Sequence, residues 1–450
     1  MSVNVSPSAI YTKDLDYDPK IAAEAMYQFY IATPQSGTNT LTYSATTTNE
    51  VIFTIPPNKS FNLARSYLAF TDSVPAGATT QYVIKHQSLF PHVSEITYYN
   101  VNNVQPVVLR NAHKLLDCVG KLSPLDEVRE NAKSNFQNRS NALSTVNLLP
   151  GDGSASSMSY DEFQYVDGVS GANATYTVGS RWPLRQAKDT LLSCDYLVKM
   201  PENTYLRFLF GPGNITYYQG TSGSANPTTG VTGIAGNISL SNLKLFLAVN
   251  VDPAVELKMN DKLAKGYSLF IPFAETQRLP ISGSTSGQFS VNTKIPARAN
   301  TTLLRIYTTA YNSNEINNTA YDRINWQGSK IVSYNTSMDT NQLQPMLVDC
   351  SDQVYFDYLV NKKYLQGTNI SSVGTYQNNW FHIDDWSGRS ELQINNKSTN
   401  LNSIMAGLKM DREHDYVFSV QTSGWANLNM YTHIIYQRQL LIDGSGMRLA

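Results

Sequence analysis

The sequence predicts an all-β protein made of two antiparallel β-sandwiches in tandem, and three observations predict it. The first is an internal repeat. "IPPNKSFNLARSY" runs from Ile55 to Tyr67 and "IPARANTTLLRIY" from Ile295 to Tyr307, so that I-P, a spacer and L-x-R-x-Y recur at an offset of 240 residues. Downstream, "NNVQP" (Asn102–Pro106) and "NQLQP" (Asn341–Pro345) recur at an offset of 239. Two signatures that keep their mutual spacing to one residue mark a tandem duplication. The second observation is length: 450 residues exceed one ordinary core and suit two domains of roughly 200 residues each. The third is the local pattern, in which alternating apolar segments end at turns and tyrosine is frequent, with 28 copies. Aromatic and β-branched residues suit pleated surfaces.

In chain order, the first element read is a helix. Asp18 can cap it, Pro19 suits its first turn and Pro34 forbids its continuation. Between them "KIAAEAMYQFYIA" places Ile21, Ala25 and Phe29 on one stripe with Met26 and Tyr30 beside it, the pattern of an amphipathic docking helix. Strands follow: "EVIFTIPP", stopped by Pro56, then "FNLARSYLAFTDSV" with Leu63, Arg65 and Tyr67 on one face, then "VSEITYYN". After "NNVQP" a helix is expected over "VVLRNAHKLLDCVGK", capped near Gly120.

The second copy keeps this order. "YSLFIPFAETQ", "GQFSVNTKIP", "TTLLRIYTTAYN" and "KIVSYNTSM" read as strands, and "DQVYFDYLVNKKYLQ" as a helix ending at Gly367. Each half closes on an apolar strand, "LSNLKLFLAVNV" and "YTHIIYQRQLLI". Short strands without regular intervening helices point to jelly-roll sandwiches rather than a parallel α/β sheet. The expected division is an arm with the helix (1–34), a first roll (35–255) and a second roll (256–450), joined near 252–266. Two long loops, 124–183 and 211–236, carry Tyr and Phe that linkers seldom need, and read as ordered surface crowns on the first roll.

Composition excludes several function classes. Net charge is −1 and only 15% of residues are charged, without the clustered Lys and Arg that displace counterions from phosphates, so no direct nucleic-acid contact is expected. The densest basic spot, Lys362-Lys363, reads as a solvated helix face. Cys118, Cys194 and Cys350 form neither a disulfide framework nor a metal motif and read as buried thiols. "MSVNVSPSAIYTKDLDYD" has no basic or apolar region of a signal peptide, and no apolar run reaches membrane-span length; a soluble protein made inside the cell is expected.

Catalytic chemistry is weakly supported. A duplicated sandwich suggests a bicupin, which needs a His-x-His pair in each half. The six histidines, His86, His92, His113, His382, His414 and His433, contain no such pair. "GSTSG" (283–287) has Thr285 where a nucleophile elbow needs serine, and "GDGSAS" (151–156) lacks a phosphate-loop ending. The cluster "WFHIDDW", Trp380 to Trp386, offers His382, Asp384 and Asp385 as metal ligands or a glycan-cleaving acid/base pair; the structural alternative is packing and backbone hydrogen bonding at a strand end. The repeated signature (Pro56, Leu63, Arg65 and Tyr67; Pro296, Leu303, Arg305 and Tyr307) admits two readings. Its arginines are anion sites, or they are paired within the sheet; repetition favours the paired, structural role. No cofactor, no metal and no enzymatic activity is expected.

Tandem rolls, an N-terminal helix, a short helix in each roll, one-sided long loops, and segments such as "VSEITYYNVNN" and "YSLFIPFAETQRL" together resemble the double jelly-roll major capsid proteins of the tectivirus–adenovirus lineage. The resemblance covers nearly the whole chain. It implies a homotrimer whose six rolls make a pseudo-hexagonal capsomer, with loops outside and the N-terminal helix beneath. It also implies a virion location, neighbouring capsomers and minor capsid or penton proteins as partners, and in many members a membrane under an icosahedral shell. Two other classes stay open: a carbohydrate- or receptor-binding two-sandwich protein, and a glycan-active enzyme using Asp384 or Asp385.

Overall fold

A computed structural model describes residues 20–36, 40–43, 48–57, 59–75, 80–85, 93–121, 163–166, 175–211, 217–221, 238–282, 286–312, 331–344, 348–349, 381–386, 407–423 and 427–449. The chain is two antiparallel jelly rolls in tandem.

The start of the chain corrects the helical expectation. Helix α1 covers only Lys20–Glu24, and β1 (Tyr27–Ala32) is a strand paired antiparallel with β13 (Ile238–Asn250), from Tyr27↔Asn250 to Ala32↔Leu245. Tyr27, Phe29 and Ile31 alternate along a pleat as well as they would fit a helical stripe, and their aromatic and β-branched side chains favour the strand once a partner is present. Of the five residues assigned to a helix face, Ile21 alone is buried and lies in α1; Ala25 is partly buried, and Met26, Phe29 and Tyr30 are exposed beyond the helix. Residues 27–32 therefore belong to the first roll rather than to a separate arm.

The first roll has two facing sheets. One is ordered β1-β13-β4-β10, with β4 at Ser60–Pro75 and β10 at Val198–Lys199; β2 (Leu41–Tyr43) joins β13, and β9 (Thr175–Pro183) joins β4. The other is β3-β11-β6-β7, built from Asn49–Ile55, Thr204–Phe210, Val93–Asn100 and Val107–Arg110. The end of the first expected crown, 175–183, is thus a roll strand. Pieces of both crowns, β8 (Phe163–Val166) and β12 (Tyr217–Thr221), flank β5 (Thr80–Lys85) in a separate three-stranded sheet. After "NNVQP" the chain forms β7 first, and helix α2 begins only at Ala112 and runs through Gly120 to Lys121.

Helix α3 (Pro253–Lys265) joins the rolls. Asp252 accepts from the Ala254 N–H (2.8 Å), Pro253 opens the first turn, and Gly266 at φ 79° ends it. The second roll repeats the plan. Its first sheet is β14-β23-β16-β20 (Tyr267–Ser282, Asn427–Asp443, Thr302–Asn312, Phe381–Asp385), with β21 (Leu408–Lys409) on β16 and β24 (Gly446–Leu449) on β23. The facing sheet is β15-β22-β17-β18 (Ser286–Ile295, His414–Ser423, Ile331–Met338, Asn341–Gln342), with β19 (Val348–Asp349) on β17. The helix expected over 352–366 lies outside the described residues.

In both rolls the first strand pairs with the last long strand, β13 or β23, and that strand with the one that carries L-x-R-x-Y. "NNVQP" and "NQLQP" each follow the third strand of the second sheet. Asn103 (φ 58°) and Asp339 (φ 51°) take the left-handed turn positions that Asn and Asp tolerate, while Val104 and Leu343 pack on the core. In the first core Phe208 meets Phe53, Trp182 and Phe210 at ring distances of 6.2, 6.1 and 6.0 Å. Phe208→Ala is expected to cost about 3–5 kcal/mol of stability, measured by denaturant titration, because the surrounding rings cannot close the cavity.

Candidate functional site

The repeat signature marks a bulge at the corresponding place in both rolls. Pro56 and Pro296 stand directly after β3 and β15 and end them. In the first roll the register jumps from Phe246↔Tyr67 to Ala248↔Asn62, so residues 63–66 bulge out against Leu247. Ser66 ties the bulge, donating to the Asn62 carbonyl (2.6 Å) and accepting from the Ala248 N–H (2.9 Å). In the second roll one extra residue, Leu304, sits between the pairs Leu303↔Tyr436 and Arg305↔Ile435. A bulge breaks strand alternation and re-aims side chains. Leu63 and Leu303 thereby enter the cores, and the expected single face for Leu63, Arg65 and Tyr67 does not form.

Arg65 is ion-paired with a carboxylate, whereas Arg305 hydrogen-bonds a tyrosine hydroxyl and has carboxylates nearby. Arg65 donates from Nε and Nη2 to the two oxygens of Asp195, each at 2.9 Å, and lies 4.8 Å above the Tyr27 ring. Asp195 also accepts from Asn62 (2.6 Å). Burial raises the Asp195 pKa, but the bonds from Arg65 and Asn62 outweigh it and hold the carboxyl below its ordinary range. Arg305 is only 1% exposed. Its Nη1 donates to the Tyr307 hydroxyl (3.2 Å), which donates to Asp189 (2.9 Å). Its Nε and Nη2 make no hydrogen bond among the described residues, and Asp385, opposite it on the neighbouring strand, acts on it through charge. Burial opposes its charge; Tyr307, Asp189 and Asp385 reverse the balance and hold its pKa above normal. Asp189 belongs to the other roll, so this cluster lies in the seam between the two.

One connector of the first roll supplies much of that seam. Between β9 and β10 the chain makes two short 3-10 turns, Leu184–Gln186 and Leu191–Ser193, the second capped by Thr190. The Tyr196 hydroxyl donates to the Phe270 carbonyl (3.0 Å), and the Tyr267 hydroxyl accepts from the Lys199 N–H and donates to its carbonyl, both at 3.0 Å. Lys199 also bonds Glu256 of α3. Lys114 of α2 lies 5.4 Å from the Tyr431 ring centre beside buried His433, whose Nδ1 meets Thr276 Oγ1 at 2.9 Å. Cys194 is buried here, its thiol donating to the Thr190 carbonyl (3.6 Å). Cys350 lies outside the described residues, as does the Cys118 side chain.

The "WFHIDDW" cluster sits inside the second roll. His382, Ile383 and Asp384 lie on β20 and are buried. Asp384 accepts from the Tyr416 hydroxyl (2.8 Å) of the facing sheet and lies 3.2 Å from His382 Nε2, while Gln344 of "NQLQP" donates to it (3.4 Å). Burial first, then Asp384, raises the Tyr416 pKa well above normal. This buried network bridges the two sheets, and Asp385 turns to the opposite face, toward Arg305. The two carboxylates therefore do not converge on one substrate position. Trp380 lies outside the described residues. Among the described residues no three His, Cys, Asp or Glu side chains form a group able to hold a metal.

Sequence reasoning found the arginines but missed their partners. Asp189 and Asp195 sit in "RQAKDTLLSCDYLVK", inside a segment without periodicity. The one available signal was the matched R-x-Y, whose arginines needed acceptors or opposite charge from somewhere in the chain.

No protein-family model matches the sequence, and no curated protein matches it. Solved structures do match its fold. VP54 of PBCV-1, fitted into a reconstruction of the virophage Sputnik, aligns at 9% identity over 94% of this chain and 97% of its own, with a TM-score of 0.54. The mavirus major capsid protein aligns at 9% identity over 100% of this chain and 93% of its own, with a TM-score of 0.53. The PBCV-1 capsid gives 9% identity, 94% and 97% coverage and a TM-score of 0.52. The structural class is therefore the double jelly roll, and these neighbours are viral major capsid proteins.

Two predictions follow from the arginine clusters and His433. Arg305→Met is expected to cost about 2–3 kcal/mol, because it removes the buried cation beside half-buried Asp189 and Asp385. Arg65→Met is expected to cost about 1 kcal/mol or less, since water screens that half-exposed pair. Denaturant titration of the two variants reads the difference. Burial, aided by Lys114, lowers the His433 pKa from 6.5 to about 3. The folded state thus holds the neutral ring while the unfolded chain takes up a proton near pH 6.5. The stability it contributes is complete above that pH and is lost as pH falls toward 3, with a slope approaching about 1.4 kcal/mol per pH unit. Titrations between pH 7 and 4 are expected to show a shallower slope in His433→Gln; equal slopes would assign the acid sensitivity elsewhere.

Proposed function

We propose that this chain is a viral major capsid protein that assembles as homotrimeric, pseudo-hexagonal capsomers tiling an icosahedral shell. The observation that carries the reading is the duplication of one roll plan within a chain whose halves are locked by a buried seam. A six-sided tile made of three chains needs two similar edges per chain, held at a fixed mutual angle. Tandem rolls provide the edges and the Arg305–Tyr307–Asp189 cluster helps fix the angle. Closed symmetric assembly reuses such surfaces, and the fold neighbours support the reading.

In this reading the protein resides in the virion and is not an enzyme. It contacts neighbouring capsomers and minor capsid or penton proteins, and an internal membrane lies beneath the shell in viruses that have one. The crown sheet of β5, β8 and β12 then decorates the outer surface. The carbohydrate-binding and enzymatic alternatives lose their main support with the burial of His382 and Asp384.

Native mass measurement with negative-stain imaging of the same peak tests this function. A particle of three times 50.0 kDa with a hexagonal outline is expected. A monomer at every concentration would overturn it.

A further inference from the structure

We propose that the outer face of the first roll's β1-β13-β4 sheet, carrying Phe29, Tyr67 and Phe246, docks against a second copy of this chain. The inference rests on the capsid reading for the expectation that copies meet; the choice of face comes from the repeat. In the second roll the matching face carries Arg305 and Tyr307 on β16, with Tyr431 and His433 on β23. All four are buried, and the first roll's Asp189 and Lys114 reach them. In the first roll the duplicated positions lack such a cover among the described residues. The Arg65 side chain is 43% exposed and Tyr67 is half-buried, and Phe29 is 49% exposed although its ring lies against Tyr67 (5.1 Å) and Phe246 (6.4 Å).

The face is built for contact. Tyr67 and Phe246 stack at 4.7 Å, and Arg181 lies 5.5 Å from the Tyr67 ring centre. Ordered aromatic rings with arginine beside them are the composition that interfaces concentrate. The patch extends along the sheet edge through Met26 and Ile31 to Val251, all exposed. β1 is an edge strand, and exposed apolar edges invite pairing unless something covers them.

The face is also continuous with an interface already present within the chain. Asp189 and Asp195 sit on one connector: Asp189 serves the seam, and Asp195 holds Arg65 at the border of the bare face. A partner laid on this face abuts the seam, and the partner chemistry that such a face has already accepted once is this chain's own.

The test uses the full-length protein with a benzophenone amino acid at position 29, irradiated and mapped for chain-to-chain products, beside the native mass of Phe29→Glu. Ile31→Glu repeats the mass measurement on a second exposed site. Expected are a cross-link between two chains at position 29 and a dissociation constant raised at least tenfold by either glutamate, with circular dichroism unchanged. A wild-type trimer with no cross-link from position 29 and no mass change in either variant would overturn the face and leave the capsomer standing. A dimer cross-linked through position 29 would uphold the face and overturn the three-chain capsomer. A monomer that yields no chain-to-chain product would overturn both.

Discussion

A guanidinium is costly to bury without opposite charge close by, and the arrangement of the two rolls depends on that constraint at Arg305. Desolvating the charge costs several kcal/mol, which only well-placed carboxylates and hydroxyls offset. The second roll supplies Asp385 and Tyr307. Asp189 comes from the first roll, through the Tyr307 hydroxyl. Correct docking of the halves thus brings a compensating negative charge near a buried cation that incorrect docking would leave without it. The neighbouring tyrosines act the same way: Tyr196 and Tyr267 each spend a hydroxyl on the backbone of the opposite roll. Such directional bonds select one mutual orientation, which apolar burial alone does not.

The duplicated signature serves different ends in its two copies. In both it produces a bulge that turns an arginine to the outer face of the sheet. In one copy that arginine is sealed inside the molecule; in the other it stays at the surface, clasped by Asp195, which Asn62 also bonds. A bulge at this point was retained, larger in the first roll than in the second, while the surroundings diverged. The connector between β9 and β10 carries that divergence, since it brings a carboxylate to each arginine from positions six residues apart.

Much of this was legible in the residues. The tandem plan, the principal strands and the structural role of the arginines follow from period-two patterning and from two signatures at a constant offset. The first strand was not legible, because Ile21, Ala25 and Phe29 satisfy a helical period while Tyr27, Phe29 and Ile31 satisfy a strand period. The deciding partner, β13, lies more than 200 residues downstream. Single-sequence patterning weighs local spacing and is blind to a partner at that distance. The carboxylates were hidden for the same reason, as was the burial of "WFHIDDW", whose Asp384 meets Tyr416 only when the two sheets face each other.

The pairing of β1 with β13 also has a consequence for biosynthesis. The first roll cannot close its sheet until residue 250 has left the ribosome, and at about 5–20 residues per second that delay is on the order of tens of seconds. Through that interval Phe29, Tyr30 and Ile31 wait without their strand partner, an aromatic segment open to association with other nascent chains. The second roll imposes a comparable wait between β14 and β23. In a protein with this topology the spacing of nascent chains therefore bears on yield, and the order in which strands emerge matters alongside the stability of the finished fold.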